Sequence, residues 1–67
     1  MTLRQRLILE ALAAGPMTTP EINDALLWTY GLAAVPHELL VLEREGLVRR
    51  AGQRGRAKLW EKTEVPQ

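Results

Sequence analysis

Apolar residues recur along this chain in three helical stretches, followed by a shorter alternating one. Leu3, Leu7, Ile8, Ala11 and Leu12 fall at three- and four-residue intervals, which sets them on one face of a helix. Thr2 with Gln5 three residues on is a capping-box pattern, so the helix is predicted over about Leu3 to Ala14. Gly15-Pro16 ends it. Met17-Thr18 reads as either a very short strand or a connector. Ile22, Ala25 and Leu26, with Thr29 one turn on, line the inner face of a second helix. Two registers compete for its start. Thr18 and Glu21 form a capping box, whereas Thr19 as cap puts Pro20 at the first helical position. Leu27, Trp28 and Tyr30 extend the apolar surface, and Tyr30-Gly31 is the expected stop.

The third helix is predicted over roughly Ala34 to Glu45, with Val35, Leu39 and Leu42 as its buried stripe. Ala33, Ala34 and Val35 offer no side-chain cap, and Pro36 fits only the first turn, where its missing N–H costs nothing. Gly46 ends this helix. The pattern then shortens to a strand from Leu47, a turn flanked by Gly52 and Gly55, and a returning strand that reaches Trp60. Gln53 and Arg54 are expected at the tip, and Leu47, Leu59 and Trp60 are expected to join the core. The order predicts a mainly α domain with a small β-hairpin, an α+β fold over residues 1–63, and a short flexible tail at 64–67. Three helices plus a two-stranded C-terminal hairpin is a winged helix-turn-helix architecture.

Charge changes this picture more than composition does. The 67 residues carry a net charge of only +1. Residues 1–43 hold Arg4 and Arg6 against Glu10, Glu21, Asp24, Glu38 and Glu43. Residues 44–62 hold Arg44, Arg49, Arg50, Arg54, Arg56, Lys58 and Lys62 against Glu45 and Glu61. No acid occurs from residue 46 to residue 60. A basic segment concentrated on a near-neutral chain points to a local anionic partner.

Size and residue types exclude other classes. A domain this small buries only about 60% of its unfolded surface, so a stability of about 5 kcal/mol or less is expected. There is no cysteine, hence no disulfide and no thiolate metal site. No Ser-His-Asp or Cys-His set, no phosphate-binding glycine loop and no metal cluster is present, so neither enzymatic activity nor a cofactor is expected. The longest apolar run is too short for a bilayer span and the N-terminus lacks a signal-peptide layout. No membrane association and a cytoplasmic location are therefore expected.

Leu39-x-x-Leu42-Glu43-x-x-Gly46-Leu47-Val48-x-Arg50, followed by Gly55-Arg56-x-x-x-Trp60-x-x-Thr63, resembles the recognition helix and wing of winged helix-turn-helix regulators of the MarR-like and PadR-like kind. The resemblance covers about residues 3–63 and is sharpest over 39–63. It implies a small DNA-binding transcriptional regulator, with double-stranded DNA as partner. Three features depart from the pattern. Lys62 stands where a leucine is usual. The recognition helix opens with Ala33-Ala34-Val35-Pro36 rather than serine or threonine. The length leaves no room for the terminal dimerisation helices of many such regulators, and it suggests a phage or mobile-element origin.

In a helix-turn-helix the third helix lies in the major groove. Its solvent side is expected to show Ala34, Pro36, His37, Val41 and Arg44, with Leu40 near the boundary. His37 can hydrogen-bond a base or a phosphate, and Arg44 can reach a phosphate or a guanine edge. In the hairpin, Arg49, Arg50, Gln53, Arg54, Arg56 and Lys58 are the candidate DNA contacts. Strand side chains alternate, so three or four of the five cations are expected to reach DNA. Four neutralised phosphates would give a salt slope of about −3.6. Thr18 and Thr19 are candidate phosphate contacts at the start of helix two, beside their capping role. The competing reading is a protein-interaction module, or a homodimer, that docks through helix three or Trp28.

Overall fold

A computed structural model describes residues 1–33 and 35–63. Ala34, where the third helix was expected to open, and the tail at 64–67 lie outside the described residues. The described residues form an α+β domain of three helices and a three-stranded antiparallel sheet. Its elements run α1 (Leu3–Leu12), β1 (Met17–Thr18), α2 (Thr19–Tyr30), α3 (Val35–Arg44), β2 (Val48–Arg54) and β3 (Ala57–Lys62).

The capping boxes decide where the first two helices begin. Thr2 Oγ1 accepts the Gln5 N–H at 3.2 Å while Gln5 Oε1 accepts the Thr2 N–H at 3.1 Å. Thr18 caps α2 in the same reciprocal way with Glu21, which resolves the competing registers in favour of Thr18. α1 ends at Leu12, two residues short of the expected Ala14, and Ala13 forms its C-cap. Gly31 caps α2 at the expected stop.

Ile8, Ile22, Val35, Leu39 and Leu42 have no exposed surface, and Leu12, Leu26, Val48 and Trp60 are almost as buried. The helical stripes read from periodicity are thus the core, with exceptions at their edges. Leu3 and Thr29 are exposed, and Ala11 and Ala25 are only half-buried. Gln5 is buried instead, and its side-chain amide donates to Glu38 Oε2 at 3.1 Å, which ties α1 to α3. In the sheet, Val48 and Trp60 supply the core, whereas the expected Leu47 and Leu59 are half-buried.

The sheet differs most from expectation. The hairpin is not alone: β1 pairs with β3, with Met17 opposite Trp60 and Thr18 opposite Leu59, giving the order β1-β3-β2. This short strand pairs the edge of β3 that β2 leaves open beside Trp60. On the other side of β3, Arg50 pairs with Trp60 and Gly52 pairs with Leu59, so Ala51 is an extra residue in a β-bulge. Gly52 holds φ at +113°, a conformation that side chains rarely adopt, and it belongs to this bulge rather than to the turn. The turn is Gly55-Arg56, with Arg54 and Ala57 as the last paired residues. Gln53 and Arg54, expected at the tip, lie in β2. Gly55, with φ at +63°, supplies the positive φ of this two-residue connection. Thr63 closes the base of the hairpin, donating its N–H to Leu47 O at 3.1 Å and its hydroxyl to Gly46 O at 2.6 Å.

Candidate nucleic-acid interface

Register and bulge together decide which way each hairpin side chain points. Directly opposed residues share a face, and faces alternate along a strand. Val48, Arg50 and Gln53 share the face of Lys58, Trp60 and Lys62. Arg49, Gly52 and Arg54 share the opposite face with Ala57, Leu59 and Glu61. Without the bulge, Arg54 would share a face with Arg50. The extra residue turns it to the other side.

Three of the hairpin's arginines are matched to acids within the domain. Arg49 Nε donates to Glu61, its direct cross-strand partner. Arg50 Nε lies 3.3 Å from Glu43 Oε2 of α3, and its guanidinium sits 5.7 Å from the centre of the Trp60 ring. Arg54 Nη1 donates to both carboxylate oxygens of Glu21, at 3.1 and 3.2 Å. Because β3 lies between β1 and β2, Arg54 reaches across β3 to the start of α2. All three pairs are largely exposed, so each adds little to stability. Their effect is to commit three cations to internal partners.

Arg56 and Lys58 are exposed and make no ion pair among the described residues. Arg56 is in the turn itself, and Lys58 shares a face with the exposed Gln53. Together they form the open cationic end of the hairpin. On α3, Pro36, His37, Leu40 and Arg44 are exposed. Pro36, Leu40 and Arg44 follow one another at four-residue steps, so they form one stripe opposite Val35, Leu39 and Leu42. Val41 and Leu40 exchange their expected places: Leu40 is 49% exposed and Val41 is half-buried. The expected contact at Ala34 lies outside the described residues.

The start of α2 is occupied by the domain's own groups. Thr18 is buried, and its hydroxyl accepts the Glu21 N–H at 3.3 Å. Glu21 Oε1 accepts the Thr18 N–H at 2.8 Å. The backbone N–H of Thr18, then its hydroxyl, hold the Glu21 carboxyl below its ordinary value of 4.5 against an opposing desolvation, and Arg54 contributes a lesser lowering. Thr19 Oγ1 accepts the Trp60 Nε1–H at 2.8 Å, the bond that satisfies the buried indole. Both threonines therefore have structural partners.

Glu21, Glu43 and Glu61 are the residues that sequence reasoning missed at this site. The basic run drew attention to cations, while their acidic partners are 33, 7 and 12 residues away along the chain.

A second surface lies at the other end of α2. Trp28 is 85% exposed, with Tyr30 and Leu27 about half exposed. The usual placement of such residues in the core does not hold here. Tyr30 also lines an open groove between α1 and α2, with Leu7, Ala11, Ala25 and Leu26 along it and Glu10 at its side.

The chain matches no family model, and no curated protein or solved structure matches it. Among the described residues, no single helix is long and apolar enough to cross a membrane.

Proposed function

We propose that this domain is a small cytoplasmic DNA-binding protein, a transcriptional regulator of winged helix-turn-helix type. α3 enters the major groove of double-stranded DNA, and the hairpin serves as the wing on the backbone or in the minor groove. The observation that carries this reading is the hairpin's cationic end, where Arg56 and Lys58 project without an internal counter-charge. Arg44, His37 and Leu40 form the exposed face of the adjacent helix, suited to a phosphate, a base edge and a thymine methyl. The three-stranded sheet is compatible with a wing, since β1 only extends the hairpin on its far side.

The test is fluorescence anisotropy with random-sequence duplex DNA across a salt series. Arg44, Arg56 and Lys58 as three phosphate contacts give an expected slope of about −2.7. The Arg56→Glu/Lys58→Glu variant should lose this binding while keeping its circular dichroism spectrum. Absence of wild-type binding even at low salt would remove the proposal.

The exposure of Trp28 favours a second reading, docking to a protein partner or a second copy of this chain. Interface cores favour aromatic residues and avoid dense charge, which suits the Trp28 surface and not the hairpin. Under this reading Trp28→Ala abolishes the association, and the Arg56→Glu/Lys58→Glu variant leaves it intact.

A further inference from the structure

Glu21 occupies an unusual position for a helix cap. Its carboxylate closes the capping box at Thr18 and at the same time holds the guanidinium of Arg54 on the far side of β3. The bulge at Ala51 makes this possible, because it turns Arg54 onto the face of Leu59, the residue paired with Thr18 directly before α2. Arg54 also directly precedes the turn, so it is the arginine nearest the exposed Arg56 that has an internal partner. A phosphate that approached the hairpin's end would have to compete with Glu21 for it.

We propose that Glu21 is a specificity-determining residue: it withholds Arg54 from DNA phosphates and so lowers sequence-independent backbone affinity. This rests on the DNA-binding reading above. Backbone contacts contribute to every DNA sequence alike, whereas base contacts distinguish among them. An acid that engages one backbone cation therefore weakens non-specific binding without touching the α3 face. Where DNA fits well enough to draw Arg54 from Glu21, the contact is regained. Where it does not, Arg54 stays with the helix cap.

The substitution Glu21→Gln isolates the charge, because glutamine also closes a capping box and α2 keeps its start. Asp24→Asn is the control. Asp24 is an exposed acid of the same helix with no ion pair among the described residues. Its loss changes the net charge equally but releases no arginine. Affinity for random duplex DNA and retention on immobilised heparin are measured across a salt series for the wild type and both variants, and again in an Arg54→Gln background. Glu21→Gln should bind random duplex about threefold more tightly than Asp24→Asn. Its salt slope should steepen by about 0.9, one additional phosphate. Both gains should vanish in the Arg54→Gln background. Equal behaviour of Glu21→Gln and Asp24→Asn overturns the proposal, and so does a gain that persists without Arg54. If heparin shows the Arg54-dependent gain but no protein binds duplex DNA, the restraint on Arg54 stands and the DNA-binding reading fails. If duplex DNA is bound and Glu21→Gln matches Asp24→Asn, the reading stands and the role of Glu21 fails.

Discussion

Glu21 is bonded from two sides by groups that favour its charged form, and this has a consequence for stability that does not depend on DNA. The Thr18 backbone N–H, the Thr18 hydroxyl and then Arg54 hold its carboxyl below 4.5 in the folded domain. A carboxyl with a lowered folded value stabilises the fold fully above its unfolded value. That contribution is lost as pH falls through the folded value. The thermal midpoint of the wild type should therefore decline as pH is lowered from about 6 to about 3, with part of the decline arising at Glu21. Glu21→Gln cannot titrate, so its midpoint should fall less steeply over the same range, and the two curves should converge at the acid end. Parallel curves would show that the Glu21 carboxylate is not held in this way. Trp60 illustrates the same economy of partners. Its indole N–H is satisfied by Thr19, a residue whose place at the start of α2 alone suggests a phosphate contact.

At the scale of elements, α3 offers a sharp contrast between adjacent positions. Leu39 and Leu42 are fully buried, whereas Leu40 is half exposed on the opposite face. Leu39→Ala should cost about 2–5 kcal/mol, a large part of the stability available to a domain this small. Leu40→Ala should stay within about 0.5 kcal/mol. Urea denaturation of the two variants checks the orientation of the helix, and similar losses at both positions would contradict it. This orientation was legible in the sequence, because a helix fixes its buried face by a period that Val35, Leu39 and Leu42 display. The caps were legible for a similar reason: both capping boxes are closed by residues three apart. The sheet was less so. Alternation predicts faces only while register is unbroken, and the bulge at Ala51 shifts it by one residue. β1 is two residues long, too short to show a period, and only its pairing with β3 makes it a strand. The ion pairs of the hairpin were not legible at all. Nothing local in the sequence tells Arg54, which reaches Glu21, from Arg56, which has no such partner.

Taken whole, the molecule separates what holds it together from what it presents, and its two tryptophans mark the division. Trp60 is 2% exposed in the core between sheet and helices, while Trp28 is 85% exposed near the end of α2. Glu21 and Trp28 are about two helical turns apart, so the basic hairpin and the aromatic surface lie toward opposite ends of one helix. Under the proposed function, a single winged module would offer only about 600–1,000 Å² to DNA, and a second contact is the ordinary route to useful affinity. Trp28 lies where such a contact would not obstruct the hairpin's end. Truncating the two tryptophans should therefore have opposite consequences. Trp60→Ala removes a core side chain and its bond to Thr19, at a cost of about 3–5 kcal/mol, which leaves little or no folded population. Trp28→Ala should hold the thermal midpoint and the random-duplex affinity near wild type, since it removes no buried contact and adds a favourable helix former. Emission spectra provide an independent check. With Trp28→Phe, the remaining Trp60 should emit at short wavelength, resist acrylamide and shift to the red on unfolding. With Trp60→Phe, the remaining Trp28 should emit at long wavelength and be quenched in the native state. Protection of Trp28 from acrylamide in the native chain, increasing with protein concentration, would mean that copies of this domain cover that surface themselves. The second contact would then be a homodimer built through α2.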